Sequence, residues 1–273
     1  MRIPHRFFII RPWLLARARG ETNVSARAML HFMTQPARDV RARQWIDRIE
    51  ENGDYLVIYF HDSAHPLFWP RSEDKWSLWM LINEQFYADD WHHYETPETP
   101  VEPKDVVVDC GACEGLFSLR IANRCKEVHA VEPHPRFVQA LEKTLGPFTN
   151  AVIHQVALSN AAGPMQLTLD GERSQLGSSG DAIVQAQTLD HLFLHHNPPV
   201  SYLKADVEGH ELLLLQGAAA LIRQNRPKIA VTVYHEANDY HEIMRFIRDI
   251  DPTYQFRTKG VTAAGKPVML HAW

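Results

Sequence analysis

The feature that most constrains the fold is a regular alternation of two hydrophobic patterns from residue 105 onward. Short apolar runs of strand length alternate with longer segments whose apolar residues recur at helical spacing. The predicted strands are "DVVVDC", "EVHAVE", "AVIHQVAL", "VSYLKAD" and "KIAVTVYHE". The predicted helices are "GLFSLRIANR", "PRFVQALEKTL", "GHELLLLQGAAALIRQN" and "DYHEIMRFIRDI". This alternation favours an α/β fold in which helices cover both faces of a mainly parallel sheet.

Two parts of the same region depart from the alternation. The last segments, "YQFRT" and "KPVMLHAW", are predicted to close the sheet as an antiparallel hairpin. Earlier, "GPMQLTLD" and "AIVQAQTL" are predicted to be two strands around the polar stretch "GERSQLGSSGD". We expect this insertion to fold over an acceptor as a lid, and an ordinary surface loop is the alternative.

The first 103 residues lack the alternation, and we predict that they form an N-terminal extension to a domain over 104–273. The extension begins with twenty residues that carry five arginines and no acid, which is typical of a basic arm or an interface strip. A helix over 38–51, a hairpin formed by "YLVIYF" and "HPLFW", and an aromatic helix over 74–88 are predicted next. The prolines of "ETPETPVEP" then indicate an extended linker. The aromatic helix and the basic arm favour a homo-oligomer or partner surface.

The composition excludes several classes of protein. The 273 residues carry 28 basic and 33 acidic side chains, so the net charge of −5 does not favour nucleic acid as a partner. The longest apolar runs are much shorter than the roughly 20 residues of a transmembrane helix. Three cysteines, an odd number, argue against a disulfide framework and for a reducing compartment, so we predict a cytoplasmic protein.

The stretch "DVVVDCGACEG" predicts the position of a ligand site, because open parallel sheets bind ligands beyond the carboxyl ends of their strands. Asp109, Gly111 and Gly115 form the pattern D-x-G-x-x-x-G, which differs from the dinucleotide-binding pattern G-x-G-x-x-G. Glu114 adds a negative charge near the start of the next helix, where a phosphate would otherwise bind. The stretch therefore favours a ligand with a cationic centre and without a phosphate.

Two further strand ends add to this site. The second strand ends at Glu132, a position from which a carboxylate accepts hydrogen bonds from both hydroxyls of a ribose. The fourth strand, in "YLKADVEGHE", places Lys204 and Asp206 on one side, with Glu208 and His210 in the turn that follows. A nucleoside joined to a cationic centre describes S-adenosylmethionine.

Several of these segments together resemble one known family. "VVVDCGACEGLFSL", "VHAVEPHP", "HQVALSN", "QTLDHL" and "YLKADVEGHELLLLQGA" are similar, in this order, to the FkbM family of class I S-adenosylmethionine-dependent methyltransferases. The resemblance covers about residues 104–258. It implies a Rossmann-like, seven-stranded sheet whose last strand is antiparallel, and it leans toward a carbohydrate or polyketide-type hydroxyl as the methyl acceptor.

The resemblance also implies which residues bind the cofactor. Asp109 and the loop that contains Gly111, Ala112, Glu114 and Gly115 would hold the methionine portion. Glu132 would bind the ribose, and the residues that would border the adenine are Ala157, Leu158 and Ser159. The chain departs from the family pattern at Cys113-Glu114, at His210 and at His235-Glu236.

The expected reaction is O-methylation of a hydroxyl group on a sugar, a glycan or a glycosylated metabolite. A hydroxyl is a poor nucleophile until it loses its proton, so a base within hydrogen-bonding reach is expected. His235, at the end of "KIAVTVYHE", is the first choice because a neutral imidazole is available near pH 7, and Asp206 is the second. A strand-end histidine that bonds to the backbone is the alternative for His235.

Metal dependence is left open by the residues. Asp206, Glu208, His235 and Glu236, with His210, could form a site for Mg²⁺, but an ion-pair network that includes Lys204 would give the same sequence. The other histidine-rich stretch, "HLFLHH", contains His191, His195 and His196 and no acid of its own. It predicts a solvated helix end rather than a zinc site.

Two other classes of function remain as alternatives. A nicotinamide-dependent oxidoreductase would share the acid at the second strand end, but it needs a third glycine in the phosphate loop. A non-catalytic nucleoside-binding or assembly module would bind S-adenosylmethionine without consuming it.

Overall fold

The N-terminal residues form helices and a small antiparallel sheet in the computed structural model, which describes residues 6–177, 179–235 and 239–273. A 3-10 turn at Phe7–Ile9 precedes these elements. In chain order they are α1 (Ile10–Ala18), α2 (Ala26–Thr34), α3 (Arg38–Arg43), β1 (Ile46–Asn52), β2 (Tyr55–Phe60), β3 (Leu67–Pro70) and α4 (Lys75–Phe86). The sheet has the order β1-β2-β3, and both pairs are antiparallel. The predicted hairpin and the aromatic helix are confirmed.

The helix predicted over 38–51 is only partly correct. Helix α3 ends at Arg43, and residues from Ile46 to Asn52 form strand β1. Ile49 pairs with Ile58 of the apolar strand β2. Pairing with a strongly apolar neighbour therefore overrides the helical spacing of the isolated segment. The basic arm likewise forms helix α1, where Trp13 packs in a small cluster with Val261 of the closing hairpin.

The rest of the chain contains eleven strands among the described residues. They are β4 (Val106–Cys110), β5 (Glu127–Val131), β6 (Ala151–His154), β7 (Ala157–Leu158), β8 (Gly163–Thr168), β9 (Gln175–Gly177), β10 (Ala182–Gln187), β11 (Tyr202–Ala205), β12 (Lys228–Thr232), β13 (Phe256–Lys259) and β14 (Met269–Ala272). The helices between them are α5 (Leu116–Ile121), α6 (Pro135–Leu145), α7 (Leu189–Phe193), α8 (Glu211–Gln216), α9 (Ala219–Asn225) and α10 (Tyr240–Ile250).

Seven of these strands form the main sheet, with the order β13-β14-β12-β11-β4-β5-β6. Strands β12, β11, β4, β5 and β6 are parallel to their neighbours in this series. The last strand of the chain, β14, runs antiparallel to both β12 and β13. The predicted Rossmann-like sheet with an antiparallel last strand is confirmed.

The sheet is covered on both faces, as its side-chain alternation requires. Val107 faces a cluster that includes α5, α6 and residues of the N-terminal extension such as Trp69. Val106 and Val108 face the opposite cluster, which contains α7 to α10. One hydrophobic core thus spans the boundary predicted at residue 103, and the division into an extension and a domain stays a prediction.

The insertion forms a second sheet with the order β7-β10-β8-β9. Strands β8 and β10 are antiparallel, as predicted. The segment "AVIHQVAL" is not one strand, because it leaves the main sheet after β6 and joins the second sheet as β7. Among the described residues, no helix is long and apolar enough to cross a membrane.

Candidate active site

The loop after β4 packs directly against the end of β11. Only a glycine at position 111 allows the two backbones to come this close. Gly111 has a φ of +76°, and a Cβ atom there would lie 1.9 Å from the carbonyl oxygen of Asp206. The amides of Gly111 and Ala112 both donate to the carbonyl of Val131, at 3.0 and 3.1 Å. Gly115 also has a positive φ, and a Cβ atom there would lie 2.6 Å from Leu141. The small residues that the sequence places after the strand therefore let three elements meet at one edge of the sheet.

Asp109 lies beneath this loop. Its carboxylate is fully buried, accepts a hydrogen bond from Ser118 at 2.8 Å and pairs with Lys204 at 2.9 Å. Lys204 in turn donates to the carbonyl of Gly111 at 2.7 Å. Burial would lower the pKa of Lys204, but Asp109 and Asp206 raise it above its usual value, so the lysine stays charged. Asp109 thus anchors the loop through Lys204, and its direct contact with the methionine portion stays a prediction.

A first cavity of about 530 Å³ opens beside the loop, at the ends of β4 and β5. Glu132, Gly111 and Leu158 of the predicted cofactor set line it, whereas Ala157 and Ser159 are buried next to Leu158. The remaining wall is largely apolar. It includes Val131, Pro133, Phe137, Val156, Leu167 and Val207.

Glu132 is held in place by the backbone around it. One oxygen accepts from the amide of Cys113 at 3.0 Å, and the other accepts from the amide of His134 at 2.8 Å. Burial raises the pKa of Glu132 to about 7. Because each carboxylate oxygen has a second lone pair, the side chain can still accept from a ligand in the cavity.

A second cavity of about 680 Å³ lies on the other side of the same loop. Ala112 and Glu114 line it, together with residues of the N-terminal extension and of the sheet edge. Burial raises the pKa of Glu114 to about 8. The other residues of this wall are Ser77, Met80, Leu81, Glu84, Gln85, His92, Tyr94, Leu116, Phe117, Lys204 and Tyr234.

The two cavities meet at a set of shared residues. Gly111, Cys113, Asp206 and Glu208 line both of them. Cys113 and Glu208 have positive φ angles of 48° and 53°, although neither is a glycine. Such backbone strain costs on the order of 1 to 3 kcal/mol per residue and is concentrated at functional sites. We name these four residues the junction.

Asp206 is the charged centre of the junction. It accepts hydrogen bonds from the hydroxyls of Tyr94 at 2.6 Å and Thr232 at 3.0 Å, and His92 lies 3.5 Å away. Burial alone would raise the pKa of Asp206, but the positive charges of His92, Lys204 and His235 lower it to about 2. The carboxylate is therefore ionised across the physiological range.

His92 connects Asp206 to the extension. Its other ring nitrogen lies 2.9 Å from Glu84 of α4. Burial would lower the pKa of His92, but Glu84 and Asp206 raise it to about 9. Sequence analysis did not identify Glu84, His92 or Tyr94, because they lie outside the strand ends and belong to no recognisable motif.

His235 lies where the sequence predicts it, but not in the predicted charge state. It bonds to Glu211 at 2.9 Å and pairs with Glu208 at 3.3 Å. Burial would lower the pKa of His235, but these two carboxylates raise it to about 10. The expectation of a neutral imidazole near pH 7 is therefore wrong. His210 is turned away and shares a hydrogen bond with Ser159 at 3.0 Å.

Glu211, which is not part of the donor set predicted for Mg²⁺, joins two members of that set, Asp206 and His235. Asp206, Glu211 and His235 each bring a ligand atom to one place. However, one oxygen of Glu211 already accepts from Val207, Thr232 and His235. Mg²⁺ requires oxygen ligands in a near-octahedral arrangement, and this oxygen of Glu211 has no lone pair left for it. Glu236 lies outside the described residues, so Mg²⁺ binding by the predicted set stays a prediction.

The polar insertion lies beside the first cavity. Gly171, Ser174 and Leu176 line that cavity, and Leu176 also borders an open groove next to Glu208. The insertion therefore borders the cavity that Glu132 lines, and its role as a lid over an acceptor stays a prediction. Ser178, in the middle of this segment, lies outside the described residues.

Together, the doubly wound sheet and a cleft at the carboxyl ends of its central strands define a Rossmann-like α/β protein. The family model for the methyltransferase FkbM domain matches residues 109–256. The chain belongs to the FkbM methyltransferase family. No curated protein sequence matches the chain significantly.

A solved structure shows the same fold. The FkbM methyltransferase from Methylobacillus flagellatus KT is 20% identical, with a TM-score of 0.52 over 74% of this chain. The chain spans 56% of that protein's chain. TYW2 from M. jannaschii, solved in complex with AdoMet, is 13% identical over 82% of this chain and 86% of its own, with a TM-score of 0.46. An rRNA methylase from Streptococcus thermophilus is 13% identical over 63% of this chain and 87% of its own, with a TM-score of 0.41.

Proposed function

We propose that this protein transfers a methyl group from S-adenosylmethionine to a hydroxyl group of a sugar, a glycan or a glycosylated metabolite. The observation that carries the proposal is the junction, where two cavities meet at the ionised carboxylate of Asp206. A transferase needs its donor and its acceptor on opposite sides of one reacting centre. Two cavities that share a wall at the carboxyl ends of β4 and β11 provide this arrangement.

The first cavity suits the cofactor. Glu132 can accept from ribose hydroxyls, and the apolar wall around Leu158 and Phe137 suits the adenine ring. The carboxylates of Asp206 and Glu208 at the junction favour a cationic sulfur. When bound, S-adenosylmethionine supplies an electrophilic methyl group. The loop from Gly111 to Gly115 is proposed to hold its methionine portion.

The second cavity suits a sugar-type acceptor. Glu84, Gln85 and Glu208 offer oxygens and an amide to hydroxyl groups, while Tyr94 and Phe117 offer aromatic faces. Ligand sites of this kind combine a few placed polar groups with aromatic side chains. In this proposal the N-terminal extension builds one side of the acceptor cleft.

Asp206 is the group proposed to receive the acceptor's proton. A carboxylate with a pKa of about 2 is a weak base toward an alcohol in its ground state. As the acceptor oxygen gains its new bond, however, its proton becomes far more acidic than a carboxylic acid, so the transfer to Asp206 is downhill. Tyr94 and Thr232 fix the carboxylate, and the charge of His92 keeps it ionised. His235, as a cation, supports Glu208 and Glu211 instead.

The experiment incubates the protein with S-adenosylmethionine labelled in the methyl group and with pools of glycans and small alcohols. Transfer of the label to a hydroxyl supports the proposal. For Asp206→Asn, kcat at saturating cofactor should fall about 100-fold or more, the usual contribution of a positioned acid or base. The matched control is Asp249→Asn, an exposed aspartate of α10, which should retain wild-type transfer.

The alternatives give different results in the same assay and in calorimetric titration. A non-catalytic module would bind S-adenosylmethionine and label none of the acceptors. An oxidoreductase would bind NAD in preference to S-adenosylmethionine. Either result would overturn the proposed reaction.

A further inference from the structure

A second cluster of metal-ligating side chains lies on the face of the sheet that carries α7. Glu127 and His129 project from β5 on the same side, because they are two residues apart on a strand. His196, which follows α7, lies within hydrogen-bonding distance of both residues. We name Glu127, His129 and His196 the edge cluster.

The three ligand atoms of the edge cluster converge on one point. The Nε2 atoms of His129 and His196 are 2.9 Å apart. The Oε2 atom of Glu127 lies 3.1 Å from Nε2 of His196 and 3.5 Å from Nε2 of His129. Ligands bound tetrahedrally to zinc at about 2.1 Å from the ion are about 3.4 Å apart. Small outward movements of a few tenths of an ångström would thus admit the ion.

A third histidine orients the central ligand. Nδ1 of His129 lies 3.0 Å from Nε2 of His154 on the neighbouring strand β6. If the Nδ1 proton is donated to His154, the lone pair of His129 is left on Nε2, which faces Glu127 and His196. Metal-binding histidines usually donate their other ring proton to a fixed acceptor in this way.

The three side chains of the edge cluster differ in their exposure to solvent. The side chain of His129 is 7% exposed, whereas those of His196 and Glu127 are 21% and 28% exposed. An ion could enter from solvent and retain water in its fourth position. The group formed by Asp206, Glu211 and His235 is different. The carboxylate oxygens of Asp206 and Glu211 accept hydrogen bonds from hydroxyl and backbone donors outside that group.

We propose that Glu127, His129 and His196 bind one divalent ion of the zinc type, with His154 fixing the orientation of His129. Two imidazoles and one carboxylate are ligands that zinc accepts readily. Sequence analysis predicted a solvated helix end at His196 because no acid is adjacent in the chain. The fold supplies that acid from β5, 69 positions earlier.

The role of this ion is structural. Glu127 begins β5 and Glu132 follows its end, so the ion would lie about 16 Å along the strand from the first cavity. It would join the segment after α7 to the edge of the main sheet. Binding to the folded state alone would raise the stability of that state.

The test measures zinc binding by the full-length chain, without an affinity tag, after treatment with a chelator. We expect one equivalent of zinc per chain by calorimetric titration, with a rise in the melting temperature. His196→Gln and Glu127→Gln should each weaken zinc binding at least 10-fold and remove most of that rise. His195→Gln, the matched control at a neighbouring exposed histidine, should bind zinc like the wild type.

A spectroscopic measurement keeps the test independent of stability. Cobalt(II) bound in place of zinc should give the visible absorption of a tetrahedral site in the wild type and in His195→Gln, but not in His196→Gln. The metal-free variants should melt at the temperature of the metal-free wild type, which shows that they fold. The proposal is overturned if the wild type binds no zinc, or if His196→Gln and Glu127→Gln bind it as tightly as the wild type.

Discussion

The hydroxyl of Tyr94 donates a 2.6 Å hydrogen bond to Asp206, a residue 112 positions later in the chain. Tyr94 belongs to the segment that links α4 to the main sheet, and Asp206 follows β11. Both side chains line the second cavity. This bond fixes one of the two carboxylates that border both cavities to a residue of the N-terminal extension.

Removing this bond should weaken both stability and methyl transfer. Tyr94→Phe leaves an ionised, buried carboxylate with one donor fewer, and a hydrogen bond to a charged group contributes about 1.5 to 3 kcal/mol. We expect a loss of this size in the free energy of unfolding, measured with urea, and a lower kcat. The control is Tyr59→Phe in β2, away from the cavities, which should change neither quantity. Unchanged unfolding and transfer in Tyr94→Phe would mean that the bond does not support Asp206.

The position of the site could be predicted from the sequence because it depends on local patterns. Parallel strands end at a common edge, so the residues at and after the ends of β4, β5 and β11 had to meet there. Gly111, Glu132 and Asp206 line the cavities as this reasoning requires. The required glycine conformation at Gly111 also follows from the close approach of two strand ends.

The side of the candidate site that the second cavity forms could not be predicted in the same way. Glu84, His92 and Tyr94 reach Asp206 only because the extension packs over the loop after β4. No spacing within the chain encodes that packing. The charge state of His235 was missed for a related reason, since it depends on Glu211, whose carboxylate turns back from α8 toward the strand end.

Gly111 permits a direct comparison with a second glycine of the same backbone conformation. Gly111 has a φ of +76° and Gly20 a φ of +72°, but a Cβ atom at Gly20 would have no heavy atom within 4 Å. Gly20→Ala should therefore cost only the backbone strain, about 1 to 2 kcal/mol. Gly111→Ala adds an overlap with the carbonyl of Asp206 and should cost at least about 2 kcal/mol more. Urea unfolding of the two variants measures the difference, and equal losses would show that the loop is not held against β11.

Glu132 should contribute directly to cofactor binding. Glu132→Ala removes the carboxylate from the first cavity and also its contacts with the amides of Cys113 and His134. We expect the affinity for S-adenosylmethionine to fall by about 1 to 3 kcal/mol in calorimetric titration, the usual penalty for losing charged hydrogen-bond partners. Glu142→Ala, at an exposed position of α6, is the matched control. Unchanged affinity in Glu132→Ala would place the ribose elsewhere.

Glu114 should make the protein less stable in alkaline solution. Its pKa is about 8 in the folded protein, well above the ordinary value of 4.5, because the carboxyl is buried. For a group whose pKa is raised by folding, the stabilising contribution is complete below the unfolded value and is lost as the pH rises through the folded value. Ionisation of this one group should therefore lower the free energy of unfolding by up to about 3 kcal/mol between pH 6 and pH 9. Glu114→Gln, which cannot ionise, should remove that part of the pH dependence in urea unfolding, whereas Glu142→Gln should retain it. A wild type and a Glu114→Gln variant with parallel pH profiles would show that Glu114 ionises normally.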